Sequence, residues 1–279
     1  MGWFLTTSIA IATTIVCTIP FGKTYLASAD FLVSQDKRIF SNSDLQLDSS
    51  QNKSDRQVAL PFDQIKQKAR SITVRVDSGD TWGSGIIIDK QNNTYTVVTN
   101  NHVLIFSQNK SYPIQTPDGK THLGSMVRTV DFKDNDLGLV QFSSNQEYEV
   151  TALFPVSHAA RDKVFAAGFP VEMESQEKLT GFHFTVGNIA QINQLAFGGG
   201  YQIGYTNNIA KGMSGGPLLN VRGEVVAING VHKYPLWGNP YVFSDGSQAS
   251  EATKEEMSKL SWGIPINTFL QLTSQPKIN

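Results

Sequence analysis

Cysteine is nearly absent. Of 279 residues only Cys17 is one, so no disulfide can staple the body of the fold. Neither sign of charge prevails: 23 basic and 24 acidic residues give a formal net charge of −1. That balance argues against nucleic acid or an anionic membrane surface as partner. The five histidines form no H-E-x-x-H helix and no paired Cys/His spacing, so neither a metal nor another cofactor is expected. Gly22-Lys23-Thr24 has the ending of a phosphate loop, but Cys17 stands where its leading glycine is required.

Long apolar runs are scarce too. One, residues 3–20, carries no charge, and Ala27-Ser28-Ala29 follows as a small-x-small site. The pair predicts a cleaved export signal over 1–29, and hence a secreted or periplasmic protein. No Lys or Arg precedes the run, and an uncleaved membrane anchor is the competing reading. No further membrane association is expected. Residues 30–56, rich in Ser, Asp, Asn and Gln, read as a flexible leader or propeptide.

The remainder is a β pattern. Residues 61–69 predict a short helix, and alternation of Ile72, Val74 and Val76 predicts a strand. Strand-like runs recur at 82–88, 95–99, 137–142, 163–168, 182–186, 187–192 and 201–205. Turn signals stand at Asn92-Asn93, Pro117-Asp118-Gly119 and Ser143-Ser144-Asn145. Short strands with frequent turns indicate all-β barrels rather than alternating βαβ units. Residues 250–259 and 267–272 read as helices, with Asn267 a candidate N-cap.

Lys211-Gly212-Met213-Ser214-Gly215-Gly216-Pro217 puts a serine among glycines, ahead of a hairpin over 217–228. Glycine tolerates the tight bend that exposes a hydroxyl and frees neighbouring amides. The G-x-S-x-G elbow of α/β-hydrolases is a poor fit, because it needs a helix directly after the serine. Pro217 and a hairpin stand there instead. Upstream, Thr99-Asn100-Asn101-His102-Val103 ends one β-run, and Asp136-Leu137-Gly138-Leu139-Val140 begins another. Asp131 and Asp134 compete with Asp136, but only Asp136 leads directly into a strand.

These three blocks, in the order His, Asp, Ser, resemble the signatures of trypsin-like (chymotrypsin-fold) serine peptidases, and most closely the bacterial HtrA/Deg-like branch. The likeness spans about residues 70–272. It implies two six-stranded antiparallel barrels, the first over 57–150 and the second over 151–279, with short helices at the start and at the C-terminus. Too few residues follow 272 for a PDZ module. The implied activity is that of an endopeptidase on extended polypeptide, with a His102–Asp136–Ser214 triad and an oxyanion hole from the amides of Gly212 and Ser214. The alternatives are a peptide-binding module on the same fold and an α/β-hydrolase esterase.

The resemblance also implies a substrate site. Asn208, six residues before the serine, would lie at the pocket floor, where an aspartate would select Lys or Arg; Asn208 disfavours that choice. Ser261-Trp262-Gly263 would be the edge strand that pairs with substrate, and Gly263 would leave the pocket open to medium or large apolar side chains. Met213 stands where trypsins carry the aspartate that pairs with a new amino terminus. Residues 232–260, long for a connection between strands, are expected either to cover the substrate strand as a lid or to decorate the surface.

Overall fold

The structure, a computed structural model, describes residues 59–105, 111–153, 155–171, 181–235 and 239–274. The export signal, the polar leader and part of the 232–260 segment therefore lie outside the described residues. Helix α1 (Phe62–Ile72) places Ile65, Ala69 and Ile72 on one buried stripe, the spacing a helix needs to present a single apolar face. At Thr73 the backbone turns extended and a β-branched, alternating run takes over.

That run is β1 (Thr73–Asp77), followed by β2 (Trp82–Gln91), β3 (Thr94–Thr99), the one-turn helix α2 (Asn101–Leu104), β4 (Ser111–Gln115), β5 (Thr121–Val127) and β6 (Gly138–Ser143). They close in the order β1-β2-β3-β6-β5-β4, with β4 returning to β1. A second closed barrel follows from β7 (Lys163–Gly168), β8 (His183–Ile192), β9 (Ile203–Tyr205), β10 (Pro217–Asn220), β11 (Val225–Val231) and β12 (Ser261–Pro265). Its order is β10-β11-β12-β9-β8-β7. Helix α3 (Glu251–Ser258) precedes β12 and helix α4 (Ile266–Thr273) follows it. All ladders between these strands are antiparallel. Closure leaves no long sheet edge to template aggregation.

The all-β, two-barrel expectation holds. Several local readings do not. The two runs at 182–186 and 187–192 are one strand, β8, with a register shift between Ile189 and Gln191 in its ladder to β9. Strands β4 and β5 were not among the expected runs. The five residues of β4 include Pro113, and β5 buries only Gly124 fully, so neither shows a strong apolar signal. Asn267 caps nothing: Pro265 is the N-cap, and Asn267 bridges the Val156 backbone through both its carbonyl and its amide.

The larger correction concerns Ser261, Trp262 and Gly263. They begin β12, which pairs with β11 on one side and β9 on the other, and each of its five residues is buried. A strand bonded on both sides has no edge to offer a peptide. Trp262 packs edge-on against Phe197 at 4.8 Å between centroids and donates its indole N–H to Met257 O. Ser261 donates to the Asn207 carbonyl. These are core residues without a free strand edge.

Candidate active site

Strand β3 ends at Thr99, and Asn100 carries the chain out of the sheet into α2, so His102 is presented on a single helical turn. Asp136 sits just before β6. Its carboxylate meets His102 twice: the His102 backbone N–H donates to Oδ1 at 2.8 Å, and the ring Nδ1 lies 2.5 Å from Oδ2. Asn100 holds the same segment by donating its side-chain amide to the Asp136 carbonyl. Burial alone would push the Asp136 carboxyl up. The His102 hydrogen bond and charge, and then the Tyr201 hydroxyl, outweigh it and hold the group below its ordinary range. Asp131 and Asp134 are exposed.

Ser214 lies between glycines at positive φ, Gly212 (94°) and Gly215 (86°). A Cβ on Gly215 would fall 2.1 Å from the Ser84 carbonyl, and one on Gly212 would fall 2.5 Å from the Phe169 carbonyl. Both bends therefore require glycine for conformation and for space. The Lys211 carbonyl accepts from the Val171 N–H at 2.7 Å, and Ser84 Oγ donates to the Gly212 carbonyl at 2.8 Å. In a trans peptide the N–H points opposite the C=O, so the Gly212 N–H faces away from Val171. Neither it nor the Ser214 N–H donates to any group among the described residues.

Ser84 belongs to β2 of the first barrel yet bonds the second at three points, two on the serine loop and one just past β7. Its N–H donates to the Ser214 carbonyl at 2.7 Å, its Oγ donates to Gly212 O, and that Oγ also accepts from the Phe169 N–H. The Gly83-Ser84-Gly85 stretch is thus where the two barrels join under the serine. Gly83 admits Val103, whose methyls would sit 2.5 and 2.7 Å from an added Cβ.

His102, Asp136, Gly212 and Ser214 all line one cavity of about 680 Å³, with Trp82, Val103 and Tyr201 among its other walls. Ser214 Oγ donates to the Gly230 carbonyl at 2.9 Å, and no hydrogen bond joins it to His102 among the described residues. Asn208 is exposed and lies outside the lining. Its neighbour Asn207 is the buried one, donating to the Thr185 carbonyl. Counting back from the serine therefore does not reach the pocket here. Gly230, Val231 and His232, at and just past the end of β11, do line the cavity, as do Lys211, Pro235 and Pro240. The 232–260 segment thus reaches the rim through His232 and its two prolines, beside β11 rather than β12.

Tyr201 escaped the sequence reading. It is 7% exposed, and its hydroxyl donates to Asp136 Oδ2. The signal was faint but present: Gly199 and Gly200 precede it and carry positive φ.

A family model described as a trypsin-like peptidase domain matches residues 83–228. The chain is 28% identical over 167 residues to the putative protease Do-like 14 of Arabidopsis thaliana, across 55% of this chain and 36% of that one. It therefore spans about a third of the length of that relative. Among solved structures it resembles the serine endoprotease from Yersinia pestis, with a TM-score of 0.55 at 18% identity, covering 77% of this chain and 66% of the other. With a match over more than half its length and a pair of closed six-stranded barrels, the chain belongs to the trypsin-like peptidase family.

Proposed function

We propose that this chain is an exported serine endopeptidase that cleaves extended polypeptide through an acyl-enzyme. The observation that carries the reading is the seating of His102 on the Asp136 carboxylate by two hydrogen bonds, on the cavity that also exposes Ser214. A serine hydroxyl is a weak nucleophile until a base takes its proton. His102 is the base, and Asp136 fixes its tautomer and stabilises the imidazolium without taking the proton itself. The developing oxyanion is bound by the N–H groups of Gly212 and Ser214, which have no other acceptor among the described residues. His102 then returns the proton to the leaving amine, and water releases the acyl group by the same steps in reverse.

The substrate backbone lies along Gly230, Val231 and His232. Strand β10 pairs with β11 only as far as Ile228, so this end of β11 can accept another strand. Among the described residues the lining contains one carboxylate, Asp136, already engaged by His102 and Tyr201. A Lys or Arg side chain finds no free counter-ion among the described residues of the lining, whereas apolar groups meet Trp82, Val103, Val231 and the two prolines. Lys211 and His232 make the same cavity tolerant of acidic side chains. Met213 is fully buried, and its sulfur accepts from the Ala210 N–H. The residue before the serine thus has no charge with which to bind a new amino terminus.

One observation favours a second reading, a peptide-binding module without catalysis: the serine hydroxyl is hydrogen-bonded to Gly230 O and not to His102. Catalytic hydrogen bonds often tighten only once substrate is bound. Incubating the purified chain with an unfolded protein and sequencing the fragments separates the two. Cleavage abolished by Ser214→Ala is expected; retention of intact peptide without cleavage would leave the binding module.

A further inference from the structure

One ring that the mechanism does not use touches the Asp136 carboxylate and packs against Gly230, whose carbonyl holds the nucleophile. Tyr201 approaches from the second barrel, just before β9, and donates to the same Asp136 oxygen that faces His102 Nδ1. The segment that carries it grips Asp136 through the backbone as well: the Asp136 N–H donates to the Gly199 carbonyl at 2.9 Å, and Asn135 forms a β-bridge with Gly199. The ring passes between two glycines. A Cβ on Gly230 would lie 2.0 Å from one edge of the ring, and a Cβ on Gly199 2.9 Å from the other. Gly230 is also the residue whose carbonyl holds Ser214 Oγ. One side chain thus touches the seat of the acid and the seat of the nucleophile.

We infer that Tyr201 is a positioning residue that acts through Asp136. Its O–H holds the carboxylate in the rotamer that presents Oδ2 to His102, and it draws part of the negative charge on Oδ2 away from the imidazole. This rests on the triad reading above, and its test is separable from that reading. Burial, reinforced by the neighbouring Asp136 and Tyr205, holds the phenol well above its ordinary range, so the oxygen stays protonated and remains a donor. The other titratable groups around the pair are His102 on α2, Lys211 beside the serine loop and His232 past β11, all on the same cavity. Tyr205 is turned to Asn229 Oδ1. Among the described residues, Tyr201 is the one that touches the carboxylate from the second barrel.

Tyr201→Phe keeps the ring between its two glycines and removes only the donor. A carboxylate that shares no charge with a phenol stabilises the imidazolium more strongly. The acid limb of kcat/KM is then expected to move to higher pH by about half a unit or more. The freed carboxylate no longer stays in the rotamer that faces His102, and that loss of positioning lowers kcat by about tenfold. A ring-fluorinated tyrosine at position 201, a stronger donor, should move the limb the other way. The His102 Nδ1–H proton resonance, followed in a Ser214→Ala background, reads the same coupling without needing activity and shifts on Tyr201→Phe. An acid limb and a proton resonance that both stay in place would overturn the proposal, even if the rate falls. If the parent cleaves nothing, the triad reading fails, while the resonance still reports whether Tyr201 acts on His102 through Asp136.

Discussion

The two barrels contribute to the cavity in different ways. The first supplies side chains fixed by other polar groups: His102 is held by Asp136, and Asp136 by His102, by Asn100 and, across the cleft, by Tyr201. The second supplies backbone, shaped by what is missing. Gly212 and Gly215 stand at positive φ with other atoms where a Cβ would go, and two amide N–H groups stay without an acceptor among the described residues. The first half therefore fails when it loses a partner. The second fails when it gains a methyl group. Ser84 is where the two meet.

Asp136→Asn probes the first barrel and carries the largest expected effect. It retains the volume but favours the wrong imidazole tautomer, so kcat is expected to fall by about 10⁴-fold while thermal unfolding changes little. A loss under tenfold would remove Asp136 from the mechanism. Gly215→Ala probes the second barrel with a single carbon. The added atom collides with the Ser84 carbonyl and displaces the two amides proposed to bind the oxyanion. The expected loss is about 10³-fold, accompanied by a lower unfolding temperature. Near-parental rates would show that the loop is not held where its glycines imply.

Ser84→Ala sharpens the comparison by cutting one link between the halves. It leaves the Gly212 carbonyl and the Phe169 N–H without their partner. A rate reduced about ten- to hundredfold is expected, from about 1–3 kcal/mol for unsatisfied buried groups, with KM little changed.

The smallest effect lies away from the cleft, in the β10–β11 turn. Burial would raise the Glu224 carboxyl, but Arg222 and Asn220 bond to it and hold it below its ordinary range. A depressed carboxylate stabilises the fold above its unfolded value, and that contribution is lost as pH falls through the folded one. Glu224→Gln is therefore expected to destabilise by on the order of 0.5 kcal/mol at neutral pH. The difference from the parent should vanish in acid. A constant difference across pH would point to packing rather than charge.

What the sequence made legible follows the same division. His102, Asp136 and Ser214 each sit in a short block whose residue types are dictated by local geometry, so their neighbourhood in the chain announces them. Asn208 is placed by counting back from the serine block and the 261–263 stretch by the likeness of its residues to an edge strand, and both fail where the chain departs from the pattern. Ser261-Trp262-Gly263 has the composition of a substrate strand, yet both its sides are bonded. Gly230, whose sequence shows only a glycine in an apolar run, lies at the cavity instead. Tyr201 was hidden for a different reason: its partner is 65 residues away in the chain, and no local pattern records a contact across two barrels.

The central claim is that His102 activates Ser214 across this cavity. Fluorophosphonate labelling of the folded chain, with the adduct mapped by mass spectrometry, tests it most directly. The account predicts a single adduct on Ser214 that disappears in Ser214→Ala and forms far more slowly in His102→Ala. No adduct on the folded parent, or equal labelling without His102, would contradict it.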